Sequence, residues 1–217
     1  MYERWGKRAV DILGAGLLLL AAAPLLALAA LAVFLALGRP VLFRQWRTGR
    51  DGQRFLLLKF RSLREGPGED AARLGRFGRA LRASAIDELP QLVNVLRGEM
   101  SLVGPRPLLP EYGALYTPAE AARLRVRPGL CGLAQAAGRN AVPWPRRLAL
   151  DTRYALAPPR LGTDLAIVLR CLWLLLRGIG VTAPGHATMP RLQDRRLGPD
   201  TGEGTAWRAS FDDTARA

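Results

Sequence analysis

The stretch ILGAGLLLLAAAPLLALAALAVFLAL, residues 12–37, contains no charged residue and almost no polar atom over 26 positions. An apolar run of this length is typical of a segment that inserts into a membrane. A secretory signal peptide fits poorly, because its apolar core is shorter and a small-residue cleavage site would have to follow it. The sequence therefore predicts a membrane segment near the N-terminus.

Pro24 divides this apolar run into parts of 12 and 13 residues. At about 1.5 Å per helical residue, each part reaches roughly 18–20 Å, which is short of a hydrocarbon core of about 30 Å. Both ends carry basic residues, which prefer the cytoplasmic side. These residues are Arg4, Lys7, Arg8, Arg39, Arg44, Arg47 and Arg50. Two interpretations fit: a re-entrant hairpin broken at Pro24, and a spanning helix with a tolerated proline kink.

The chain of 217 residues has 32 basic and 18 acidic side chains, a net charge of +14. This excess indicates an anionic partner: nucleic acid, a phospholipid surface or a phosphorylated small molecule. His186 is the only histidine, which excludes Ser-His-Asp and Cys-His catalysis and a histidine-rich metal site. Cys131 and Cys171 lack metal-type spacing and predict free thiols in a reducing compartment. Any chemistry must therefore rely on carboxylates and arginines.

Three parts are predicted along the chain. Residues 1–38 form a membrane-embedded helix, break and helix, and residues 39–184 form a domain on the membrane surface. Residues 185–217 are polar, glycine-rich and without pattern, which is typical of a flexible tail. We expect a mainly α fold, with one β-hairpin from VLFRQWR and QRFLLLKF around the loop Gly49 to Gln53.

Two helices are predicted in the second part. PAEAARLRVR, residues 118–127, starts with a proline suited to a first turn and is stopped by Pro128-Gly129. DLAIVLRCLWLLLRGIGV, residues 164–181, is strongly apolar but contains Arg170 and Arg177 at helical spacing. It fits an amphipathic helix in the membrane interface with snorkelling arginines, or a buried core helix with two exposed arginines.

Two adjacent carboxylates, Asp87 and Glu88, lie in SAIDELPQL, residues 84–92. Neighbouring side chains on a helix point about 100° apart, so the pair suits two tasks at one site. We expect a helix to start here, because Ser84 to Asp87 resembles a capping box and Pro90 suits a first turn. The helix N-terminus would lower both pKa values.

An ionised aspartate beside a glutamate that can hold Mg²⁺ is suited to phosphoryl chemistry. The simpler alternative is that Asp87 caps the helix and Glu88 pairs with Arg82 or Arg97. Arginines in rigid turns strengthen the first interpretation, because such turns present a guanidinium to a phosphate. These arginines are Arg106 between two prolines, Arg127 before Pro-Gly, and Arg139 in Gly-Arg-Asn.

These segments together closely resemble the small monotopic phosphoglycosyl transferases, the bacterial sugar transferases that start polysaccharide and glycoprotein glycan assembly. The resemblance covers roughly residues 5–182 and rests on many blocks in order. The blocks are KRAVDI, the proline-containing apolar run, FRQWRTGRDGQRFLLLKFRSL, GRALRASAIDELPQLVNVLRGEMSLVGPRPLLPEY, RPGLCGLAQAAGRN, LDTRYAL and DLAIVLR.

The resemblance implies an enzyme that moves a sugar-1-phosphate from a UDP-sugar to polyprenyl phosphate, such as undecaprenyl phosphate, and releases UMP. Asp87 would be the nucleophile that forms a covalent phosphosugar intermediate, and Glu88 would ligate Mg²⁺. Arg106 would bind phosphate. Further basic positions of the same pocket would be Lys59 in KFRS, Arg79 and Arg82 in GRALR, and Arg139 in GRN.

The resemblance also implies a re-entrant membrane helix broken at Pro24, a catalytic domain within residues 39–184, and a location at the cytoplasmic face of the bacterial inner membrane. Ala23 differs from the serine that usually precedes the family's proline. Anionic lipid would then account for the positive charge without nucleic acid. The oligomeric state, including a homo-oligomer, stays open. The competing hypothesis is a non-catalytic, basic membrane-surface scaffold of a glycan assembly complex.

Overall fold

The computed structural model describes residues 2–180 and Leu192, with backbone only for Glu3, Arg4 and Ala71. Within these residues the fold is mainly helical, as the sequence predicted. The predicted flexible tail, residues 185–217, lies outside the described residues apart from Leu192. Leu192 is buried against Leu108, Tyr112, Trp144 and Leu148.

The N-terminal apolar segment forms one helix, α1, from Lys7 to Leu37, after a single π-helical turn at Tyr2–Gly6. Helical structure continues through Pro24, so the predicted division into two helices is not observed. A proline removes one backbone hydrogen bond, and the alanines and leucines on both sides favour continued helix. By length and composition alone, α1 could cross a membrane.

Both halves of α1 pack on the same body of the protein. Ala15, in the first half, belongs to a buried cluster that also contains Phe55, Leu57, Leu92, Val95 and Met100. Ala29 and Val33, in the second half, pack against Phe60 and Leu81. The helix therefore lies along the rest of the chain instead of projecting away from it.

Polar side chains fasten both ends of α1 to this body. Arg8 donates to the carbonyl oxygens of Val95 (2.7 Å) and Leu96 (3.0 Å). Asp11 is buried and accepts hydrogen bonds from the Ser101 hydroxyl (2.9 Å) and the Leu102 amide (2.8 Å). At the other end, Arg61 donates to the carbonyl oxygens of Leu37 and Gly38.

The predicted β-hairpin is confirmed. Strands β1 (Leu42–Thr48) and β2 (Arg54–Phe60) pair antiparallel, with Leu42 opposite Phe60 and Thr48 opposite Arg54. A second sheet, not predicted, pairs β3 (Ser101–Val103) and β4 (Gly129–Cys131) in parallel. Strands of three residues are too short to show a hydrophobic period. Gly129 has no room for a side chain, because a Cβ atom would overlap the Gly104 amide.

Seven further helices complete the described chain. They are α2 (Asp70–Arg73), α3 (Arg76–Ala83), α4 (Gln91–Arg97), α5 (Pro118–Ala121), α6 (Leu133–Ala136), α7 (Trp144–Leu156) and α8 (Leu161–Leu176). The helix predicted over residues 118–127 begins at Pro118 but continues as a 3₁₀ turn, Ala122–Arg125. Thr117 and Glu120 form a capping box at its start.

Helix α8 exposes most of its apolar side chains. Leu165, Leu169 and Leu176 are more than half exposed, while Ile167 and Leu174 are buried. The interpretation of this segment as a buried core helix is therefore wrong. The guanidinium groups of Arg170 and Arg177 lie 4.3 and 5.4 Å from the centre of the Trp173 ring, so the charges are placed beside an aromatic side chain.

We expect Gly78→Ala to destabilise the fold. A Cβ atom at this position in α3 would overlap the Ser62 carbonyl oxygen. Overpacking of this kind costs about 1–3 kcal/mol and lowers the melting temperature by several degrees. Thermal unfolding in detergent measures the change. Gly16→Ala is the matched control, because its Cβ meets no atom within 4 Å. An equal fall of the melting temperature in both variants would contradict the close contact between Gly78 and Ser62.

Candidate active site

A cavity of about 880 Å³ is lined by residues of α1, α3, α6, α7 and α8. All seven side chains predicted for the site line it: Lys59, Arg79, Arg82, Asp87, Glu88, Arg106 and Arg139. They come from strand β2, helix α3 and three loops or turns. The fold thus gathers two carboxylates and five basic groups around one space.

The two carboxylates lie on a 3₁₀ turn, Ile86–Glu88, between α3 and α4. Ala85 adopts a left-handed conformation, with φ of 56°, and so reverses the chain after α3. The predicted capping box is wrong, because the Ser84 hydroxyl donates to the Leu81 carbonyl (2.9 Å) and Asp87 caps no helix. Pro90 does immediately precede α4, as its preference for a first turn predicted.

Glu88 and Arg106 form a two-point ion pair. One guanidinium nitrogen lies 2.5 Å from Glu88 Oε1 and the other 3.1 Å from Oε2. The predicted alternative partners of Glu88, Arg82 and Arg97, are therefore wrong. Pairs of this geometry are both strong and directional. Glu88 thus orients the guanidinium that the resemblance assigned to phosphate binding.

The two carboxyl groups have opposite pKa shifts. Burial and the neighbouring charge of Glu88 raise the pKa of Asp87 to about 6, although Lys59, Arg82 and Arg106 partly counter this. Burial also opposes ionisation of Glu88, but the charge and hydrogen bonds of Arg106 outweigh it and lower the pKa of Glu88 to about 2. The expectation that both pKa values fall was wrong for Asp87, because the cost of burying its charge was not visible in the sequence.

Four other basic groups surround the carboxylates. Burial lowers the pKa of Lys59, whose amino group lies 5.1 Å from the centre of the Phe43 ring. Arg82 donates to the Ser62 hydroxyl and Arg79 to the Leu74 carbonyl, both at 2.8 Å. One terminal nitrogen of Arg139 is buried without a hydrogen-bond partner in the described part of the chain. Such a donor is suited to an incoming anion.

A buried ion pair behind the site was missed from the sequence. Arg123 and Asp151, both almost fully buried, lie 2.7 Å apart, and Arg123 also donates to the Arg106 carbonyl at 2.6 Å. Arg147, which lines the cavity, donates to the Arg139 carbonyl at 2.6 Å. In the sequence, Arg123 and Arg147 look like solvent-exposed arginines of a helix. Only the fold shows that they are buried beside the site.

The donor set fits Mg²⁺ held jointly by the protein and a phosphorylated substrate. Among the described residues there is no group of three or more histidine, cysteine, aspartate or glutamate side chains that could hold a metal. Mg²⁺ commonly uses one or two carboxylates together with substrate phosphates and water. Glu88, the carboxylate that the resemblance assigned to Mg²⁺, could supply one such ligand, and both of its oxygens also accept hydrogen bonds from Arg106.

Comparison with known proteins finds one matching family and several similar proteins. Residues 2–178 match a family described as bacterial sugar transferase. The chain is 40% identical over 191 residues to the uncharacterized sugar transferase EpsL of Bacillus subtilis, covering 85% of this chain and 94% of that one. It is 47% identical over 186 residues to the UDP-glucose:undecaprenyl-phosphate glucose-1-phosphate transferase of Caulobacter vibrioides, covering 78% and 69%. The exopolysaccharide production protein ExoY of Rhizobium meliloti is 40% identical over 171 residues, covering 68% and 76%.

We expect Asp87→Asn to stabilise the folded protein at neutral pH. The ionised carboxylate is disfavoured when folded, because its pKa rises from the ordinary 3.8 to about 6. This cost is absent below about pH 4, where both states are protonated, grows as the pH rises to 6, and is complete above it. Melting temperatures measured between about pH 4 and pH 8 should therefore diverge with increasing pH.

Glu88→Gln is the matched comparison and should have the opposite effect. Because the pKa of Glu88 is lowered from 4.5 to about 2, its ion pair stabilises the fold above pH 4.5 and is lost toward pH 2. The glutamine variant should melt lower than the unchanged protein at pH 8. A pH-independent gain for Asp87→Asn would contradict the assigned pKa.

Proposed function

Because this chain belongs to the bacterial sugar transferase family, we propose that it transfers a hexose-1-phosphate from a UDP-sugar to undecaprenyl phosphate and releases UMP. The chain is an enzyme of the phosphoglycosyl transferase type. The printed name of the Caulobacter relative supports these classes of donor and acceptor. The observation that carries the proposal is the placement of Asp87 and Glu88 among basic side chains in one cavity.

Asp87 is the proposed nucleophile. One of its oxygens attacks the phosphorus that bears the sugar, the bond from that phosphorus to UMP breaks, and a phosphosugar ester of Asp87 remains. An oxygen of undecaprenyl phosphate then attacks the same phosphorus and restores the free carboxylate. With a pKa of about 6, Asp87 is mostly ionised at neutral pH, so neither step requires histidine as a base.

The surrounding cations would stabilise the negative charge that develops around the phosphorus. Arg106, held by Glu88 and by the Arg123–Asp151 pair, is fixed before substrate arrives. Such preorganisation lowers the cost of gathering charge in the transition state. Lys59 and Arg139 add positive charge on other sides of the cavity. Mg²⁺, held by Glu88, would neutralise charge on the phosphates.

The packing of α1 along the rest of the chain supports a position at the membrane surface over a span. Its first half and its second half contact the same charged body, through Arg8 and Asp11 near one end and Arg61 at the other. If the ends lay on opposite sides of a bilayer, that body would have to enter the hydrocarbon with its charges, which is costly. We infer shallow insertion on the cytoplasmic face, with α8 in the interface and anionic lipid attracted by the net charge.

We expect Asp87→Asn to abolish UMP release and the covalent adduct. The assay contains the full chain in lipid nanodiscs, UDP-glucose, Mg²⁺ and undecaprenyl phosphate, and intact-mass spectrometry after donor alone detects the phosphosugar ester. Asp70→Asn is the control, because Asp70 is an exposed carboxylate of α2. Full activity of Asp87→Asn would show that Asp87 is not the nucleophile. No activity in the unmodified protein would favour the scaffold hypothesis.

A topology test addresses α1 separately. Cysteines replacing the exposed Trp5 and Arg50 flank the helix, in a background with serine at Cys131 and Cys171. Both should react with a membrane-impermeant maleimide from the cytoplasmic side alone, in inverted but not in right-side-out vesicles. Labelling of the two positions from opposite sides would establish a spanning helix.

A further inference from the structure

Two thiols meet in the wall of the cavity. Cys131 lies on β4 and Cys171 on α8, which are far apart in the sequence, and both side chains line the cavity. Each cysteine is free and only partly buried. The proposed transfer reaction uses neither thiol, so this pair is open to a chemistry of its own.

The two thiols are in direct contact. They are hydrogen-bonded to each other, and Cys171 Sγ lies 3.9 Å from the carbonyl oxygen of Gly132, the residue that follows Cys131. Both side chains also pack against one buried cluster. Its members are Val103, Ala136 and Ile167. Contact between two sulfur atoms is the arrangement from which a disulfide can close.

The elements that carry the thiols are held in place by other contacts. The Cys131 carbonyl accepts a hydrogen bond from the Gly104 amide at 2.9 Å, beside the β3–β4 pair. In the first turn of α8, the Asp164 carboxylate accepts hydrogen bonds from the Lys7 amino group and the Tyr154 hydroxyl, both at 2.7 Å. Because both elements are fixed, each thiol meets the other at a high effective concentration, which favours reaction within the chain over reaction between chains.

The surroundings of the pair distinguish the two thiols. The hydrogen bond with Cys131 lowers the pKa of the Cys171 thiol, although burial opposes this. The nearby charges of Arg139 and Arg106 lower it further. The same hydrogen bond, together with burial, raises the pKa of Cys131. Because the thiolate is the nucleophilic form of cysteine and is favoured by nearby cations, Cys171 is the attacking thiol and Cys131 is its partner.

The cavity also selects the reagents that reach the pair. Its volume of about 880 Å³ admits a small solute such as hydrogen peroxide. The thiol of a second protein would have to enter the same space, in which both cysteines also pack against the apolar cluster. A small hydroperoxide is therefore the class of oxidant that fits this site.

We propose that Cys131 and Cys171 form a covalent modification site, at which hydrogen peroxide closes a disulfide between β4 and α8. The Cys171 sulfur attacks one peroxide oxygen, the O–O bond breaks, and the leaving hydroxide takes up the thiol proton to become water, which leaves a sulfenic acid on Cys171. The Cys131 sulfur then attacks the sulfur of that sulfenic acid, the S–O bond breaks, and a second water leaves with the Cys131 proton. Two thiols are oxidised by two electrons, and one peroxide is reduced to two waters. A cellular dithiol or glutathione reverses the bond by exchange, which is consistent with a reducing compartment.

Peptide mapping of the full chain in nanodiscs tests the bond. The protein is treated with hydrogen peroxide, its remaining thiols are alkylated, and the monomer band of a non-reducing gel is digested with trypsin. Cleavage after arginine, except before proline, places Cys131 in residues 126–139 and Cys171 in residues 171–177. We expect the two peptides joined, lighter by two hydrogen atoms than their sum, and separated again by dithiothreitol. Cysteines that stay unlinked, or links found only between two chains, would overturn the proposal.

Matched single variants test the order of the two steps. In Cys131→Ser the serine hydroxyl still donates a hydrogen bond to Cys171, but the sulfenic acid has no thiol to condense with, so dimedone, a reagent for sulfenic acids, should label Cys171 after peroxide treatment. In Cys171→Ser that label should be lost, because the remaining thiol has the raised pKa. Label in neither variant, or equal label in both, would overturn the proposal. Neither measurement requires turnover, so the result is independent of the proposed function.

Discussion

The docking of α1 along a charged body is the constraint on which the rest of the structure depends. A helix with almost no polar side chains gains nothing from contact with water, yet Arg8 and Asp11 near one end and Arg61 at the other bind it to the body. The body and α1 therefore form one unit. The cavity lies against α1, because Leu18 and Leu25 of this helix line it.

Electrostatic asymmetry within the site follows from unequal pairing of two adjacent carboxylates. Glu88 has Arg106 as a two-point partner and stays ionised far into acid, whereas Asp87 is buried with cations nearby but has no such partner among the described residues. Glu88 orients the Arg106 guanidinium, whereas Asp87 is the carboxylate that we propose as the nucleophile. This difference in pairing explains why ionised Glu88 stabilises the folded state at neutral pH and ionised Asp87 destabilises it.

Short-range patterns in the sequence were sufficient for several elements. The loop between two apolar runs predicted the hairpin, Pro118 marked the start of α5, and ordered family blocks selected the seven residues that line the cavity. Patterns failed where backbone geometry depends on distant neighbours. The β3–β4 pair joins two three-residue segments that are far apart in sequence. The predicted break at Pro24 failed for a local reason, because the alanines and leucines on both sides favour continued helix.

The sequence by itself determined the long apolar N-terminal helix, the exclusion of histidine chemistry and the identity of the candidate site residues, because these depend on composition and local order. Only the tertiary structure decided that Glu88 pairs with Arg106, that burial raises the pKa of Asp87, and that Arg123, paired with Asp151, holds the Arg106 backbone. Ion pairing and burial are properties of side chains that meet across long separations in the chain. No local spacing encodes which of many arginines a given carboxylate will contact.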